Sequence, residues 1–334
     1  MLLPTSYTGT LIALAVTALL WGLWAMTQRA DRKWRFEMYS FDFAFGVLAI
    51  SVLLALTVGN MGSGNSFTFD DNMVVASKRA IATGVGAGLL VCLGNMLILA
   101  GISLAGMSTA LPAGAGTALM AAVGLQMLTG KTGNPGLVGG GAGAALVAVI
   151  LIGLAQQAAA AATPVKKGMH PGLKGFILSL VGGVFVAGGL LVADGSRMGD
   201  IGVGPYGAAV TVAVGLFLMT PLVSMYFMNL PVQGAAVGFK AYLDGTRKQH
   251  LLGLLGGVLW GSGTFAFFVA AGATYANGPK FLGLEAAGLG GAVIGGLAGL
   301  LVWAEQAASG KAKGMLLGAM AVLGGAAALV FLGA

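Results

Sequence analysis

Ten apolar runs, each long enough to cross a bilayer, account for most of this sequence and limit what it can fold into. A transmembrane helix needs about 20 consecutive apolar residues. The chain of 334 residues has a mean hydropathy of +0.93 and only 8% charged residues, which excludes a soluble domain of this size. The sequence therefore predicts an all-α integral membrane protein with ten transmembrane helices. The runs cover residues 8–28, 39–58, 80–102, 106–129, 136–158, 174–194, 205–228, 248–272, 280–304 and 312–333.

Glycine is unusually frequent within these runs. The chain contains 59 glycines without a collagen period. In a soluble helix each glycine costs about 1 kcal/mol relative to alanine. In a bilayer, small residues let helix backbones approach closely, and this close packing favours helix association. The glycines therefore predict membrane helices in tight contact.

A weak internal repeat divides the chain into two halves. The basic pair Lys78–Arg79 opens the third run, and the pair Arg247–Lys248 opens the eighth run 169 residues later. Because each half has five spans, an odd number, the halves must lie inverted in the membrane. Inverted repeats with a site near the midplane are common in secondary transporters. The predicted units are a first five-helix repeat over 1–158, a cytoplasmic linker over 159–173 and a second five-helix repeat over 174–334.

Lysine and arginine indicate an orientation. Twelve of the 17 basic residues lie in connections that follow odd-numbered runs, and five lie in connections that follow even-numbered runs. Positive residues concentrate in cytoplasmic loops. We therefore predict a multi-pass protein of the cell (inner) membrane, in contact with the lipid bilayer, with both termini on the outer, periplasmic side. The same rule explains the net charge of +7 without a nucleic-acid partner.

Few residues could support catalysis or metal binding. The chain has one cysteine and two histidines, and neither a nucleophile–base pair nor a set of metal ligands is apparent. The run GLQMLTGKT resembles a phosphate loop, but five residues separate Gly124 from Gly130 where that motif requires four. We expect no enzymatic activity, no metal and no cofactor.

Aromatic and polar residues inside the runs mark a candidate substrate site. The candidates are Trp21, Trp24, Gln28, Asn95, Trp260, Thr264 and Phe267. The first three share one face of a helix. Aromatic planes can stack on flat heterocycles while amide and hydroxyl groups bind their edges, which predicts a planar, neutral, polar substrate. The alternatives are that the aromatic residues anchor the membrane interface or face lipid, and that Asn95 bonds a neighbouring helix.

One acidic residue, Glu285, lies within the ninth run, and we expect it to carry a coupling proton. Ionisable residues inside a span usually face the bundle interior or a cavity. The alternative is structural, with Glu285 paired to Lys280 or placed at the positive end of its own helix. Asp42, early in the second run, is the next candidate for coupling, although it could equally cap its helix.

Three segments together are familiar. They are WGLWAMTQRADRKWR followed by YSFDFAFG, then LGNMLILAGISLAG, and then FKAYLDGTRKQHLLGLLGG. On these segments the chain resembles the drug/metabolite transporter superfamily and, within it, the ureide permeases and their bacterial relatives. The resemblance touches most of both halves, through short pieces.

This resemblance implies ten helices in two inverted five-helix repeats. It also implies proton-linked secondary transport of a small polar metabolite, such as allantoin or a nucleobase. A sister branch of the superfamily carries sugars, so a glucose- or ribose-type substrate stays open. A passive channel is the alternative outside the carriers.

Overall fold

The computed structural model describes residues 1–61, 67–128, 133–165, 168–199, 201–273, 281–306 and 309–334. Within these ranges the chain forms twelve α-helices and no strand, and ten of the helices are long and apolar enough to cross a membrane. The coarse prediction of an all-α protein with ten such helices is confirmed. The helices are α1 (Tyr7–Arg29), α2 (Phe36–Thr57), α3 (Phe69–Val75), α4 (Lys78–Ala105), α5 (Met107–Leu128), α6 (Pro135–Ala162), α7 (Pro171–Ser196), α8 (Pro205–Asn229), α9 (Lys240–Leu243), α10 (Arg247–Ala271), α11 (Phe281–Leu301) and α12 (Gly310–Gly333).

The central connection is shorter than the predicted linker of 159–173. Helix α6 continues to Ala162, and α7 begins at Pro171. Alanine is the strongest helix former, so the alanine-rich end of the fifth run extends α6. Proline suits the first position of α7, where its missing N–H group has no helical partner to lose.

Large apolar side chains cover the outside of the bundle. Leu222, Leu332 and Phe45 are 66%, 73% and 58% exposed. Monomeric soluble proteins rarely show extended apolar surfaces, whereas hydrocarbon chains in a bilayer solvate such side chains. The outer surface therefore fits a membrane environment.

Each half of the chain packs its first helix against the other half. Helix α1 packs on α10 and α11, and α7 packs on α4 and α5. Helix α10 also packs on α2, and α4 also packs on α8. Further pairs join the halves, among them α6 with α12, α2 with α8 and α5 with α11.

Glycine allows helices to approach closely at these crossings. A Cβ atom built on Gly94 would lie 2.6 Å from the Gly182 carbonyl oxygen, and one built on Gly182 would lie 2.8 Å from the Gly94 oxygen. Helices α4 and α7 therefore touch backbone to backbone. The crossing of α1 and α11 is similar, because a Cβ atom on Gly22 would lie 2.8 Å from the Gly291 oxygen.

The two ends of the bundle differ in their contacts. At one end, Arg35 Nη1 donates to the Ala235 oxygen at 2.7 Å, and Lys174 Nζ donates to the Val232 oxygen at 2.8 Å. We call this the basic end. At the other end, the terminal end, the Met1 amino group donates to the Phe67 oxygen at 3.0 Å.

Candidate functional site

Helices α1, α4, α5, α7, α10 and α11 line a cavity of about 90 Å³, the central cavity. Its wall includes five of the nine residues that the sequence predicted for substrate binding or coupling: Trp21, Trp24, Asn95, Trp260 and Glu285. Small residues of α5 and α11 form part of the remaining wall, among them Gly114, Ala115 and Gly288. The structure thus brings together residues that lie up to 264 positions apart in the sequence.

Trp21 is held in place by other aromatic rings and one hydroxyl group. It stacks on Trp260 with a centroid distance of 6.3 Å and on Phe267 with a distance of 5.4 Å. Its indole Nε1 donates to Thr264 Oγ1 at 3.2 Å. Phe267 and Thr264 are buried and do not line the central cavity. They lie behind Trp21 and fix its orientation.

Trp24 and Trp260 both contact the ring of Phe43. The ring centroids of Trp24 and Phe43 are 5.3 Å apart, and those of Phe43 and Trp260 are 5.9 Å apart. Both contacts are tilted, which is a favourable arrangement of aromatic quadrupoles. Phe43, on α2, was not among the predicted residues, and it supports the two tryptophans from outside the cavity.

Asn95 and Glu285 supply the polar groups of the cavity wall. Each residue is only 5% exposed. Within the described residues, Asn95 Nδ2 and Glu285 Oε1 have no hydrogen-bond partner. An unpaired buried polar group costs several kcal/mol, so both side chains have bonding capacity that a bound solute can use.

The surroundings of Glu285 bear on the two structural interpretations of this acid, namely an ion pair with Lys280 or a position at the positive end of its own helix. Helix α11 has no acid in its first turn, so Glu285 lies beyond the region where a helix N-terminus stabilises negative charge most. Lys280, the predicted ion-pair partner, lies outside the described residues. Asp194 of α7 is near enough to interact electrostatically with Glu285. Asp194 in turn forms an ion pair with Arg197 at 3.2 Å.

Gln28 lies apart from the central cavity. Its Nε2 donates to the Leu99 oxygen of α4 at 3.3 Å, and its side chain lines a different cavity at the basic end. Gln28 follows Trp24 by four residues, which is a displacement of about 6 Å along a helix. The shared face was predicted correctly, but the two side chains lie at different depths.

Asp42 also lies outside the central cavity. Its carboxylate accepts a hydrogen bond from the Tyr242 hydroxyl at 2.8 Å and lies 2.9 Å from His250 Nδ1. Burial, followed by the Asp42 carboxylate, raises the pKa of Tyr242, so the phenol stays protonated and donates. Helix α2 begins at Phe36 without a side-chain cap, so the interpretation of Asp42 as a helix cap was wrong.

The sequence reasoning missed Glu305, a buried acid in the connection between α11 and α12. Glu305 pairs with Arg29 Nη2 at 2.8 Å. It also accepts hydrogen bonds from the Met107 and Ser108 amides at 3.1 and 2.9 Å, at the start of α5. Charge-assisted bonds of this kind are about twice as strong as neutral ones. An acid between two apolar runs looks like an ordinary loop residue, so the neighbouring sequence does not indicate that Glu305 is buried and binds α1 and α5.

Comparison with known proteins adds information about the fold only. No family model matches the chain, and no curated protein matches it. A solved structure described only as the crystal structure of a protein shares the fold, with a TM-score of 0.57, 17% sequence identity and coverage of 98% of both chains. At that identity the match indicates a common arrangement of helices along almost the whole chain.

Proposed function

We propose that this protein is a secondary transporter that moves a small, planar, neutral polar metabolite by alternating access. A ureide such as allantoin, or a nucleobase, is the proposed substrate, and a proton is the proposed coupling ion. The observation that carries the proposal is that Asn95 and Glu285 line one cavity beside three tryptophans, both buried and each with a polar atom that has no partner among the described residues.

The choice of helices around the cavity supports this proposal. With five spans in each half, α1, α4 and α5 are the first, third and fourth spans of the first half, and α7, α10 and α11 hold the same ranks in the second. All six line the central cavity. A site between equivalent elements can be exposed to either side by a rocking motion of one half against the other.

The packing pairs support the proposed inverted repeat. The contact of α4 with α7 corresponds by rank to the contact of α10 with α1, and α4 with α8 corresponds to α10 with α2. The contact of α1 with α11 corresponds to that of α7 with α5. A twofold exchange of the halves would relate these pairs.

The chemistry of the wall fits a solute with a flat face and polar edges. Trp24 and Trp260 offer aromatic surface, although Phe43 contacts both rings and Trp21 stacks on Trp260. The Asn95 amide can donate to a carbonyl group, and the Glu285 carboxyl group can accept from an N–H group or exchange a proton. Glu285 thus serves either as a direct ligand of the solute or as the group that links solute to proton.

The helix contacts favour a carrier over a passive channel. Between the central cavity and the basic end, the Gln28 side chain is bonded across to the α4 backbone. Backbone contacts such as that of Gly94 with Gly182 close the packing of α4 on α7. A continuous water-filled pore would need these contacts to be open.

Proteoliposomes containing the purified protein test the proposal. We expect saturable uptake of uracil or allantoin, with counterflow and with accumulation when a proton gradient is imposed. Uptake of glucose or ribose alone would instead assign a sugar carrier, and flux that does not saturate would assign a channel.

A matched pair of variants tests the role of the cavity wall. Asn95→Ala removes a buried amide from the cavity, and we expect solute affinity to fall about two- to tenfold, as for one hydrogen bond. Gln156→Ala removes a buried amide that bonds Thr109 between α6 and α5, away from the cavity. We expect this control to lower stability while leaving affinity unchanged, and equal loss of affinity in both variants would contradict the proposed site.

A further inference from the structure

A second cavity, of about 440 Å³, lies at the basic end of the bundle. We call it the basic cavity. The end of α1, the α1–α2 connection, the start of α2 and the end of α4 line it, together with Gln233 and Gly234 of the connection between α8 and α9. The lining includes the polar or charged residues Gln28, Arg29, Arg32, Arg35 and Ser103 and the indole of Trp34.

Positive charge predominates in the basic cavity. Three arginines line it, together with one acid, Glu37, which is bonded to Arg35 at 2.7 Å. Arg29 is paired with Glu305, whereas exposed Arg32 forms no ion pair in the part of the chain that the structure describes. The lining therefore carries a net positive charge, and Arg32 is its least neutralised member.

Hydrogen-bond donors are also in excess there. Among the described residues, Arg29 Nε and Trp34 Nε1 are buried donors without partners, against one such acceptor in the lining, Gln28 Oε1. Guanidinium and indole groups have no acceptor atoms. Oxygen atoms of a solute, as in carbonyl or carboxylate groups, are complementary to such a lining, and ammonium groups are not.

The basic cavity adjoins the central cavity along the groove between α1 and α4. On α1, Trp24 lines the central cavity and Gln28 lines the basic cavity. On α4, Ile98 lines the central cavity and Ser103 lines the basic cavity. The Gln28–Leu99 hydrogen bond crosses the groove between them. At 1.5 Å per residue, the separating layer is about 6–8 Å thick.

We propose that the basic cavity is the vestibule through which solutes reach or leave the central cavity, and that it selects for oxygen-rich solutes over cations. This inference rests on the proposed transport function. Field lines focused in a cleft of one sign raise the local concentration of complementary solutes. The Gln28–Leu99 layer then opens to pass solute between the two cavities.

Charged thiol reagents test the vestibule without requiring transport. Ser103→Cys, in a Cys92→Ala background that removes the single native cysteine, places a thiol in the basic cavity. The detergent-solubilised variant is treated separately with an anionic and a cationic methanethiosulfonate reagent. We expect the ratio of anionic to cationic rates to exceed that of Val74→Cys, an 85% exposed control at the terminal end, by about tenfold.

Arg32→Gln identifies the source of the selectivity. Because Arg32 is exposed, this change should leave the fold intact. Its addition to Ser103→Cys should lower the rate ratio several-fold, and in proteoliposomes it should raise KM more than it lowers kcat. Equal ratios at Ser103→Cys and Val74→Cys, or no reaction of Ser103→Cys with either reagent, would overturn the vestibule. If the ratio of anionic to cationic rates is raised at Ser103→Cys as expected but the protein transports no solute, the result would count against the transport function alone.

Discussion

Arg29 and Glu305 form an ion pair of 2.8 Å that joins the end of α1 to the connection between α11 and α12. The same carboxylate binds the first amides of α5, so one side chain ties together the basic ends of α1, α5 and α11. These three helices all line the central cavity. In the proposed transport cycle, opening the cavity towards the basic end would separate these helix ends and break this contact.

Removal of the acid from this pair should be the more damaging of the two single changes. Glu305→Ala leaves the Arg29 charge and two α5 amides without their acceptor, whereas Arg29→Ala leaves the carboxylate bonded to those amides. Removing one partner of a buried pair costs about 3–5 kcal/mol. We expect Glu305→Ala to lower the Tm in detergent further than Arg29→Ala, and the reverse order would contradict this account.

The coupling hypothesis for Glu285 has a direct test. Glu285→Gln should fold, bind solute and catalyse exchange across a membrane without a gradient, and it should lose accumulation driven by protons. Asp70→Asn is the control, because Asp70 is an exposed acid near the terminal end that is bonded to Asn60 and lines neither cavity. If Glu285→Gln accumulates solute with the pH dependence of the native protein, the coupling group is elsewhere.

The hydroxyl group of Thr264 should increase solute affinity indirectly, because it holds the Trp21 indole in place. Thr264→Val keeps the shape of the side chain but removes the acceptor for Trp21 Nε1. A net hydrogen bond is worth about 0.5–1.5 kcal/mol, so we expect affinity to fall about two- to tenfold. The expected readouts are an increased Kd and a changed tryptophan emission.

Thr117→Val is the control for that change. Among the described residues, the Thr117 hydroxyl bonds only to the Ala113 oxygen of its own helix. We expect neither the affinity nor the emission spectrum to change in this variant. Matching effects in both variants would show that the Thr264 result reflects general packing.

The glycine crossing of α4 and α7 predicts a sharp contrast within one helix. Gly94→Ala would place a methyl group 2.6 Å from the Gly182 oxygen, whereas Gly86→Ala meets no atom within 4 Å. Overpacking of this kind costs about 1–3 kcal/mol. We expect Gly94→Ala to lower the Tm and Gly86→Ala to leave it unchanged or raise it. Equal Tm values would refute the close contact.

The predicted orientation is tested with single cysteines in the Cys92→Ala protein. Ala30→Cys lies in the α1–α2 connection at the basic end, and Val74→Cys lies in α3. An impermeant thiol reagent added to intact cells should label Val74→Cys and not Ala30→Cys. The opposite labelling would place the basic end outside the cell.

The fold could be predicted because hydrophobic length is a local property, and ten runs give ten helices. Five of the nine candidate residues line one cavity. For Asn95 and Glu285 this agrees with the cost of exposing polar groups to lipid. The sequence did not distinguish Thr264 and Phe267 from the cavity-lining residues, because the rotation of α10 about its axis depends on its packing against other helices. For Gln28 the sequence predicted the helix face correctly but not its depth in the bundle, which also depends on how the helices pack.

The two acids that prediction missed, Glu305 and Asp194, lie at or near helix ends. A charge at that position usually meets water, so the sequence gives no sign of burial. The burial of Glu305 depends on the start of α5, nearly 200 residues earlier. Such contacts become visible only when the helices are assembled.

The packing of α1 has a consequence for biosynthesis. Its neighbours α10 and α11 begin at Arg247 and Phe281, more than 200 residues after α1 leaves the ribosome. During synthesis α1 must therefore wait in the membrane, with Trp21, whose ring partners Trp260 and Phe267 belong to α10, exposed to lipid or held by the insertion machinery. Folding of the first half can be completed only after the second half has been inserted, so a nascent chain that stops before α10 is a substrate for quality control.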